Sequence, residues 1–473
     1  MIKKTKIVAT ISDRTSSPKF IKTLFDEGMD VVRLNTAHQN PDQTLKVIND
    51  VRQVSDKIAL LLDTKGPEVR TVKTEKTIHV TVGQRIKIKG DTEKESNEDC
   101  IYVSYLDFVK DVPEKSFILI DDGSVELKVI KKDHDVLICE ATNEGDIKGR
   151  KSINVPNVTF NLPSVSLRDK EFIQLAIEQD IDFIAHSFVR NKEDIIEIQK
   201  ILDKNKSQIK IIAKIENQQG VDNIDEILDH AYGVMVARGD LAVEIPYEKI
   251  PGIQRMLINK CIERRKPVII ATQMLHTMID NPRPTRAEVS DVASAVYNNA
   301  DAIMLSGETA SGSYPVEAVS TMAKIAMEVE QSKEPFSEIP VFVLNNPTTA
   351  YLCKSAVKAA IRLNAKAIIA DSTSGRTLRA LAAYRGARPI FAQCYSKRTI
   401  REMGLTYGVI PDYMEPKETS HEFLLEALTS LINKNIFSQD DLIVVTAGNF
   451  GRSMGVSYIE IGTVGKLLGH LQL

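Results

Sequence analysis

The segment 58–71 reads IALLLDTKGPEVRT. An apolar run closes on Asp63 and Lys65, and Gly66-Pro67 then ends it. Such runs, bounded by turn residues, read as buried strands. Two earlier segments have the same shape, Lys6–Ser12 and Val31–Ala37, the second closing on Arg33 and Asn35. Between them Phe20, Leu24 and Phe25, then Leu45, Ile48 and Val51, recur at helical spacing. Strand, helix, strand, helix is the rhythm of parallel βαβ units.

After Thr71 the rhythm changes. Alternating strands follow at Ile78–Val82, Ile86–Ile88, Phe117–Ile120, Val125–Ile130 and Val136–Glu140, with turns at Asp122-Gly123 and Asn143 to Gly145 and no long helix. A small β-domain is therefore expected inside the α/β domain. The earlier rhythm resumes with a helix at Asp169–Glu178 and strands at Phe183–Val189, Lys210–Asn217, Gly233–Asp240, Pro267–Thr272 and Ala302–Glu308. Three strands before the insertion and five after it make eight, which favours a closed (β/α)8 barrel over the alternative, a doubly wound open sheet. Beyond Glu334-Pro335 a third unit has strands at Ala365–Ala370, Pro389–Cys394, Val409–Pro411, Leu442–Thr446 and Ser457–Thr463. The expected division is 1–71 and 162–335 for the barrel, 72–161 for the inserted β-barrel lid, and 336–473 for a C-terminal α/β domain.

The length of 473 residues fits about three domains. With 61 basic and 64 acidic residues the net charge is −3, so no global field draws nucleic acid or an anionic membrane. Any anionic ligand must be held by a local site. The five cysteines (Cys100, Cys139, Cys261, Cys353, Cys394) are scattered without a CxxC pair, as reduced thiols in a cytoplasmic protein would be. No run of about 18 apolar residues is available to span a bilayer.

Four barrel strands end in polar residues two apart: Arg33/Asn35, Asp63/Lys65, Lys214/Glu216 and Arg238/Asp240. Residues two apart on a strand share a face, and strand C-termini form the active-site mouth of such a barrel. Structural salt bridges or lid contacts would account for one pair. Four pairs at the same ends point instead to a metal held by Glu216 and Asp240, with Arg33, Lys214 and Arg70 holding an anion. There is no P-loop, GxGxxG opening a helix, HExxH or GxSxG. From the residues alone, the reading is metal-dependent chemistry on a phosphorylated or carboxylated small molecule.

These stretches closely resemble the pyruvate kinase family along nearly the whole chain. The matching segments are VVRLNTAH (31–38), DTKGPEVRT (63–71), AKIEN (213–217), MVARGDLAVEIP (235–246), ATQML (271–275), NPRPTRAEVSDVA (281–293) and DAIMLSGETA (301–310). The resemblance implies transfer of the phosphoryl group of phosphoenolpyruvate to ADP, giving pyruvate and ATP in the last step of glycolysis. It implies Mg²⁺ (or Mn²⁺) at Glu216 and Asp240, and Lys214 and Arg33 on the transferring group. Gly239, Asp240 and Thr272 would cradle the substrate carboxylate, and Thr272 and Ser306 would serve the proton path to the enolate carbon. Arg70, His38, Lys151 and Asn35 would meet the nucleotide, and Asn35, Asp63 and the Thr64 carbonyl would hold K⁺. A homotetramer is implied. The loop Ser372, Thr373, Ser374, Gly375, Arg376 and Thr377 joins a strand to a helix, where hydroxyls and N–H groups can hold a phosphorylated effector, the alternative being a Ser/Thr N-cap with no ligand.

The chain also departs from the family. Ala37 stands where the family usually has Ser, which removes one oxygen from the K⁺ set, and Ala242 stands where Gly is usual. Ser12-Asp13-Arg14 lacks the usual Gly-Pro, and His186 occupies a place where small residues are common. Two competing readings are a metal-dependent barrel lyase acting on phosphoenolpyruvate or pyruvate, and an inactive kinase-like binder of phosphometabolites. The first leaves Lys65, Arg70 and Lys151 unexplained. Intact Lys214, Glu216, Asp240 and Thr272 argue against the second.

Overall fold

A computed structural model describes residues 2–333, 346–448 and 455–471. Eight parallel strands close into a barrel: Lys6–Thr10, Val31–Asn35, Ala59–Asp63, Phe183–His186, Lys210–Ile215, Gly233–Ala237, Val268–Ala271 and Ala302–Leu305. Each pairs with its neighbours in chain order, and the first pairs with the last through Lys6↔Ala302 and Val8↔Met304. The open-sheet alternative is thereby removed. Alternation sorts the strand residues as expected. Val8, Val31, Leu61, Phe183, Ala185, Ile212, Met235 and Ile269 fill the lumen, while Ile7, Leu60, Leu62, Ile184 and Val234 pack outward against the helices.

The strands are shorter than the sequence led us to expect. The third ends at Asp63, the fifth at Ile215 and the sixth at Ala237, so Lys65, Glu216, Arg238 and Asp240 lie beyond them. The argument from a shared strand face therefore holds for Arg33/Asn35 and fails for the other three pairs. Arg238 and Asp240 sit in the first turn of a helix, Arg238–Glu244, that starts directly off the sixth strand.

The insertion is a seven-stranded sheet whose two ends are joined by an isolated bridge between Thr71 and Val103, which makes it barrel-like. The sequence reading missed its strands Val69–Arg70, Cys100–Val103 and Ser152–Asn154, and a paired strand at Gly145–Ile147. All have four residues or fewer, too short to express a period, and Phe117–Ile120, equally short, is legible only as a continuous apolar run. Val69, Val80, Ile88, Val103, Ile120 and Leu127 make its separate core.

Among the described residues the C-terminal sheet has five strands, parallel except for the last, Tyr458–Thr463, which runs antiparallel to Leu442–Ala447. The break expected at Glu334-Pro335 lies outside the described residues. This domain docks on the barrel floor through buried ion pairs. Arg385 grips Asp301 with both terminal nitrogens (3.0 and 2.6 Å), and Arg401 Nε reaches Asp182 at 2.6 Å. A single helical turn, Met403–Leu405, puts Leu405 into the lumen cluster, with Gly404 against Val31 and Ala59.

Candidate active site

Lys214, on the fifth strand, occupies the centre of the barrel mouth and is buried. Its ammonium lies 3.0 Å from Asp63 Oδ1, 3.0 Å from Glu216 Oε1 and 2.7 Å from Ser187 Oγ. On the far side of Asp63, Arg33 Nε donates to Oδ2 at 2.6 Å, and Arg33 also donates to Thr10 Oγ1 at 3.0 Å. Burial would lower the Lys214 pKa, but Asp63 and Glu216 outweigh it and hold the ammonium well above its usual range. Burial likewise would raise Asp63, and Arg33 and Lys214 instead hold it below the usual carboxylate range.

Glu216 and Asp240 behave differently. Burial raises both, and for Glu216 the pull of Lys214 is countered by the neighbouring Asp240. Asp240 hydrogen-bonds to Glu216 and also feels Asp122 and Glu68 across the cleft. Two cations, Arg33 and Lys214, thus face three carboxylates, Asp63, Glu216 and Asp240. A pair of carboxyls left short of positive charge is a fit for a divalent cation, and hard oxygen donors suit Mg²⁺. No cluster of three or more His, Cys, Asp or Glu side chains with metal-ligand geometry occurs among the described residues.

Thr272 has φ +68 and Gln273 +53, left-handed values that a β-branched residue adopts only when held. Arg238 holds them: it donates to Thr272 O at 2.7 Å and to Ala271 O at 3.4 Å, and is anchored on Asp291 at 2.6 Å. Arg238 is thus a brace for this loop and not a lumen cation. Thr272 Oγ1 accepts from Gly239 N–H at 2.8 Å, which brings the expected carboxylate-cradle groups together. Ser306 N–H donates to Glu308 Oε2 at 2.7 Å, and Glu308 Oε1 accepts from Leu275 N–H at 3.2 Å, so one buried carboxylate ties the last two loops.

A cleft of about 540 Å³ opens between mouth and lid, lined by Arg70, Asp121, Lys151, Phe188, Asp240 and Glu244 among others. Both lid cations have internal partners, Arg70 with Glu68 at 2.6 Å and Lys151 with Asp121 at 2.9 Å. His38 is exposed. Asn35 Oδ1 accepts from Ala37 N–H at 3.2 Å, and the Thr64 carbonyl accepts from Ser187 Oγ at 2.6 Å. The loop Ser372–Thr377 stands apart, in the C-terminal domain. Gly375 there has φ +73, its N–H donates to Ser372 Oγ at 2.9 Å, and the helix Arg376–Ala383 begins after it. Arg376 Nε donates to Ser374 Oγ at 3.2 Å.

Ser187, Phe188, Glu308 and Thr10 were missed from sequence. For Ser187 a signal existed, since alternation from Phe183 and Ala185 aims it at the lumen. His186, one residue earlier, is buried on the opposite face. Burial pushes its pKa down to about 4, so it is a neutral packing residue, with Nδ1 3.5 Å from Thr64 Oγ1.

A family model described as the barrel domain of pyruvate kinase matches residues 2–319, and one described as its alpha/beta domain matches residues 351–461. A pyruvate kinase of Borreliella burgdorferi is 47% identical over 98% of both chains. One of Staphylococcus epidermidis is 42% identical over 94% of this chain and 78% of its own length. A crystal structure of a pyruvate kinase from Cryptosporidium parvum superposes with a TM-score of 0.91, at 33% identity, over 98% of this chain and 96% of that one.

Glu244 gives the site a pH signature. It lies in the cleft, accepts a long hydrogen bond from Gln218 N–H (3.4 Å), and burial pushes its pKa up to about 7. Its folded-state value exceeds the unfolded one, so folding favours the protonated form, and stability is lost as pH rises from the ordinary glutamate range through 7. Glu244→Gln should therefore raise the thermal midpoint at pH 8 and change it little at pH 5. An unchanged midpoint at pH 8 would mean that the carboxylate is solvated.

Proposed function

The chain belongs to the pyruvate kinase family, and on that premise we propose that its barrel mouth transfers the phosphoryl group of phosphoenolpyruvate to ADP, giving pyruvate and ATP. The observation that carries the reading is the pair of buried cations, Arg33 and Lys214, beside two carboxyls whose pKa values are raised by burial. Arg33 and Lys214 hold the transferring group. As the bond to the bridging oxygen breaks, charge grows there and meets cations already in place, and one such contact is worth about 3 kcal/mol. Gly239 and Asp240 backbone N–H groups and the Thr272 hydroxyl hold the substrate carboxylate, and Thr272 and Ser306 deliver a proton through water to the enolate carbon. Arg70 and Lys151 exchange their internal acidic partners for nucleotide phosphates, joined by His38 and Asn35 at the mouth. Glu216 and Asp240 hold Mg²⁺ or Mn²⁺, which supplies charge neutralisation for the phosphoryl oxygens when bound.

The finer parts of the reading are a homotetramer in the cytoplasm and a phosphorylated effector in the loop Ser372–Thr377, where hydroxyls and N–H groups meet a helix start. Among the described residues no helix is long and apolar enough to cross a membrane. Fructose 1,6-bisphosphate or a sugar monophosphate, titrated at low phosphoenolpyruvate, should shift the activity, and Arg376→Ala should abolish the response. Silence from both ligands would remove the effector from the reading.

An assay of pyruvate formation with phosphoenolpyruvate, ADP and Mg²⁺, leaving out each component in turn, tests the reaction directly. In it, Glu216→Gln and Asp240→Asn should each lower kcat by about 10²-fold or more, the usual loss for one transition-state contact. Retention of more than about a tenth of the activity at saturating Mg²⁺ would refute the metal assignment.

The K⁺ set is Asn35, Asp63 and the Thr64 carbonyl, with Ala37 contributing no oxygen. In this family an acidic residue at Glu68 goes with K⁺ dependence, because a lysine ammonium there supplies roughly the field of the bound ion. Turnover should be faster in KCl than in tetramethylammonium chloride at equal ionic strength, with weak K⁺ affinity because of Ala37. Equal rates would show that Glu68 does not mark dependence here. Glu68→Lys should raise the rate without K⁺, although it also breaks the 2.6 Å pair with Arg70.

A further inference from the structure

The segment after the fourth strand, Ser187-Phe188, takes no part in the roles assigned above, yet it touches both key groups of the mouth. Ser187 is buried, accepts from Lys214 Nζ at 2.7 Å and donates to the Thr64 carbonyl at 2.6 Å. Its own N–H donates to Thr64 Oγ1 at 3.1 Å. The next N–H, of Phe188, donates to Glu216 Oε2 at 2.6 Å. Phe188 achieves this with φ +55, a left-handed conformation disfavoured for a bulky residue. Gly66 permits it: a Cβ there would meet Ser187 Cβ at 2.7 Å and the Phe188 ring at 2.9 Å. The strain, the close glycine and the four hydrogen bonds together fix the position of the serine oxygen, whose hydroxyl has Thr64 O at 2.6 Å and Asp63 Oδ1 at 3.4 Å as acceptors.

An ammonium has three N–H donors; Lys214 gives one to Ser187 Oγ at 2.7 Å and stands in ion-pair contact, 3.0 Å, with both Asp63 and Glu216. A phosphoryl oxygen arriving at Lys214 takes over one of these places. Ser187 and Asp63 belong to the framework below, since Asp63 is gripped by Arg33 and Ser187 by Thr64. With one donor hydrogen-bonded to Ser187 and the ammonium held beside Asp63, its rotation is set and the remaining donors are aimed by tetrahedral geometry. We propose that Ser187 is a positioning residue for phosphoryl transfer: its hydroxyl pins one Lys214 N–H and so points another at the transferring group. This rests on the reading of Lys214 as the phosphoryl-facing cation. The hydroxyl suits the task because it is neutral. A third carboxylate in its place would leave the ammonium over-compensated and weaken its pull on the substrate.

A residue that aims the lysine affects the transfer step, whereas one that only supports the pocket affects everything done in it. Two reactions separate these. One is phosphoryl transfer; the other is exchange of pyruvate methyl protons with deuterated solvent, followed by NMR. Exchange uses the carboxylate cradle, Thr272 and Ser306, but moves no phosphoryl group. Ser187→Ala should lower kcat for transfer at least about tenfold while KM for phosphoenolpyruvate moves less than about threefold, the pattern of a contact made in the transition state. The exchange rate should stay within about threefold of the wild-type rate. Transfer lowered less than tenfold, or transfer and exchange lowered alike, would overturn the proposal. Should the alanine variant fold poorly, Ser187→Cys, similar in size with a weak acceptor, is read against the same outcomes. A wild-type enzyme without transfer activity would instead defeat the family reaction itself, so the two failures are distinguishable.

Discussion

Charge placed where water is scarce must be balanced by the chain itself, and at the barrel mouth this constraint organises everything else. Arg33, Asp63, Lys214 and Glu216 form a line of alternating sign in which Asp63 and Lys214 are held charged by their neighbours while burial raises the pKa of Glu216. The line ends on Asp240, where burial outweighs the pull of Lys214 and the pKa is raised. The imbalance is directional: it leaves negative charge at the side open to the cleft and positive charge toward the lumen. A substrate bearing a phosphoryl group beside a carboxylate, accompanied by a divalent cation, completes this pattern rather than disturbing it. The same constraint accounts for Ser187, a neutral acceptor where another charge would upset the line.

The backbone around the mouth is bent to serve these side chains. Three non-glycine residues, Phe188, Thr272 and Gln273, have left-handed φ there, and the first two departures place a donor and an acceptor that a regular loop would misdirect. Phe188 turns its N–H to Glu216, and Thr272 turns its hydroxyl to Gly239. Such conformations cost on the order of 1–3 kcal/mol each and persist where the surroundings over-determine them. Here the surroundings are a glycine approach at Gly66 and the guanidinium of Arg238, both beyond the reacting groups.

Periodicity carried the fold far. Apolar runs with helical segments between them fixed all eight barrel strands, because each strand is buried on both faces and says so in its composition. Four lid strands of two to four residues were missed because so few residues express little alternation, whereas Phe117–Ile120, equally short, was legible as a continuous apolar run. At the site, Arg33 was legible because it lies within a strand. Glu216 and Asp240 were legible as residues, but the reason first given for them, a shared strand face, was wrong for both. The chain had already left the strand, and a helix start and a hydrogen-bonded loop brought them together. Glu308 was illegible for a different reason. Its work is done on the backbone of two loops distant in sequence, and nothing in residue spacing announces a carboxylate that accepts from Ser306 and Leu275 N–H groups.

The turn Met403–Leu405 has a bearing on how such proteins diversify. Leu405 completes the floor of the lumen, so the catalytic unit does not contain all of its own core. A C-terminal domain exchanged for another as a cassette would have to bring an equivalent stopper, with Gly404 or a residue as small against Val31 and Ala59. Without it, the barrel would be left with an apolar hole at its base. The rest of this domain is free of that constraint, while the few residues that cork the barrel must stay with it.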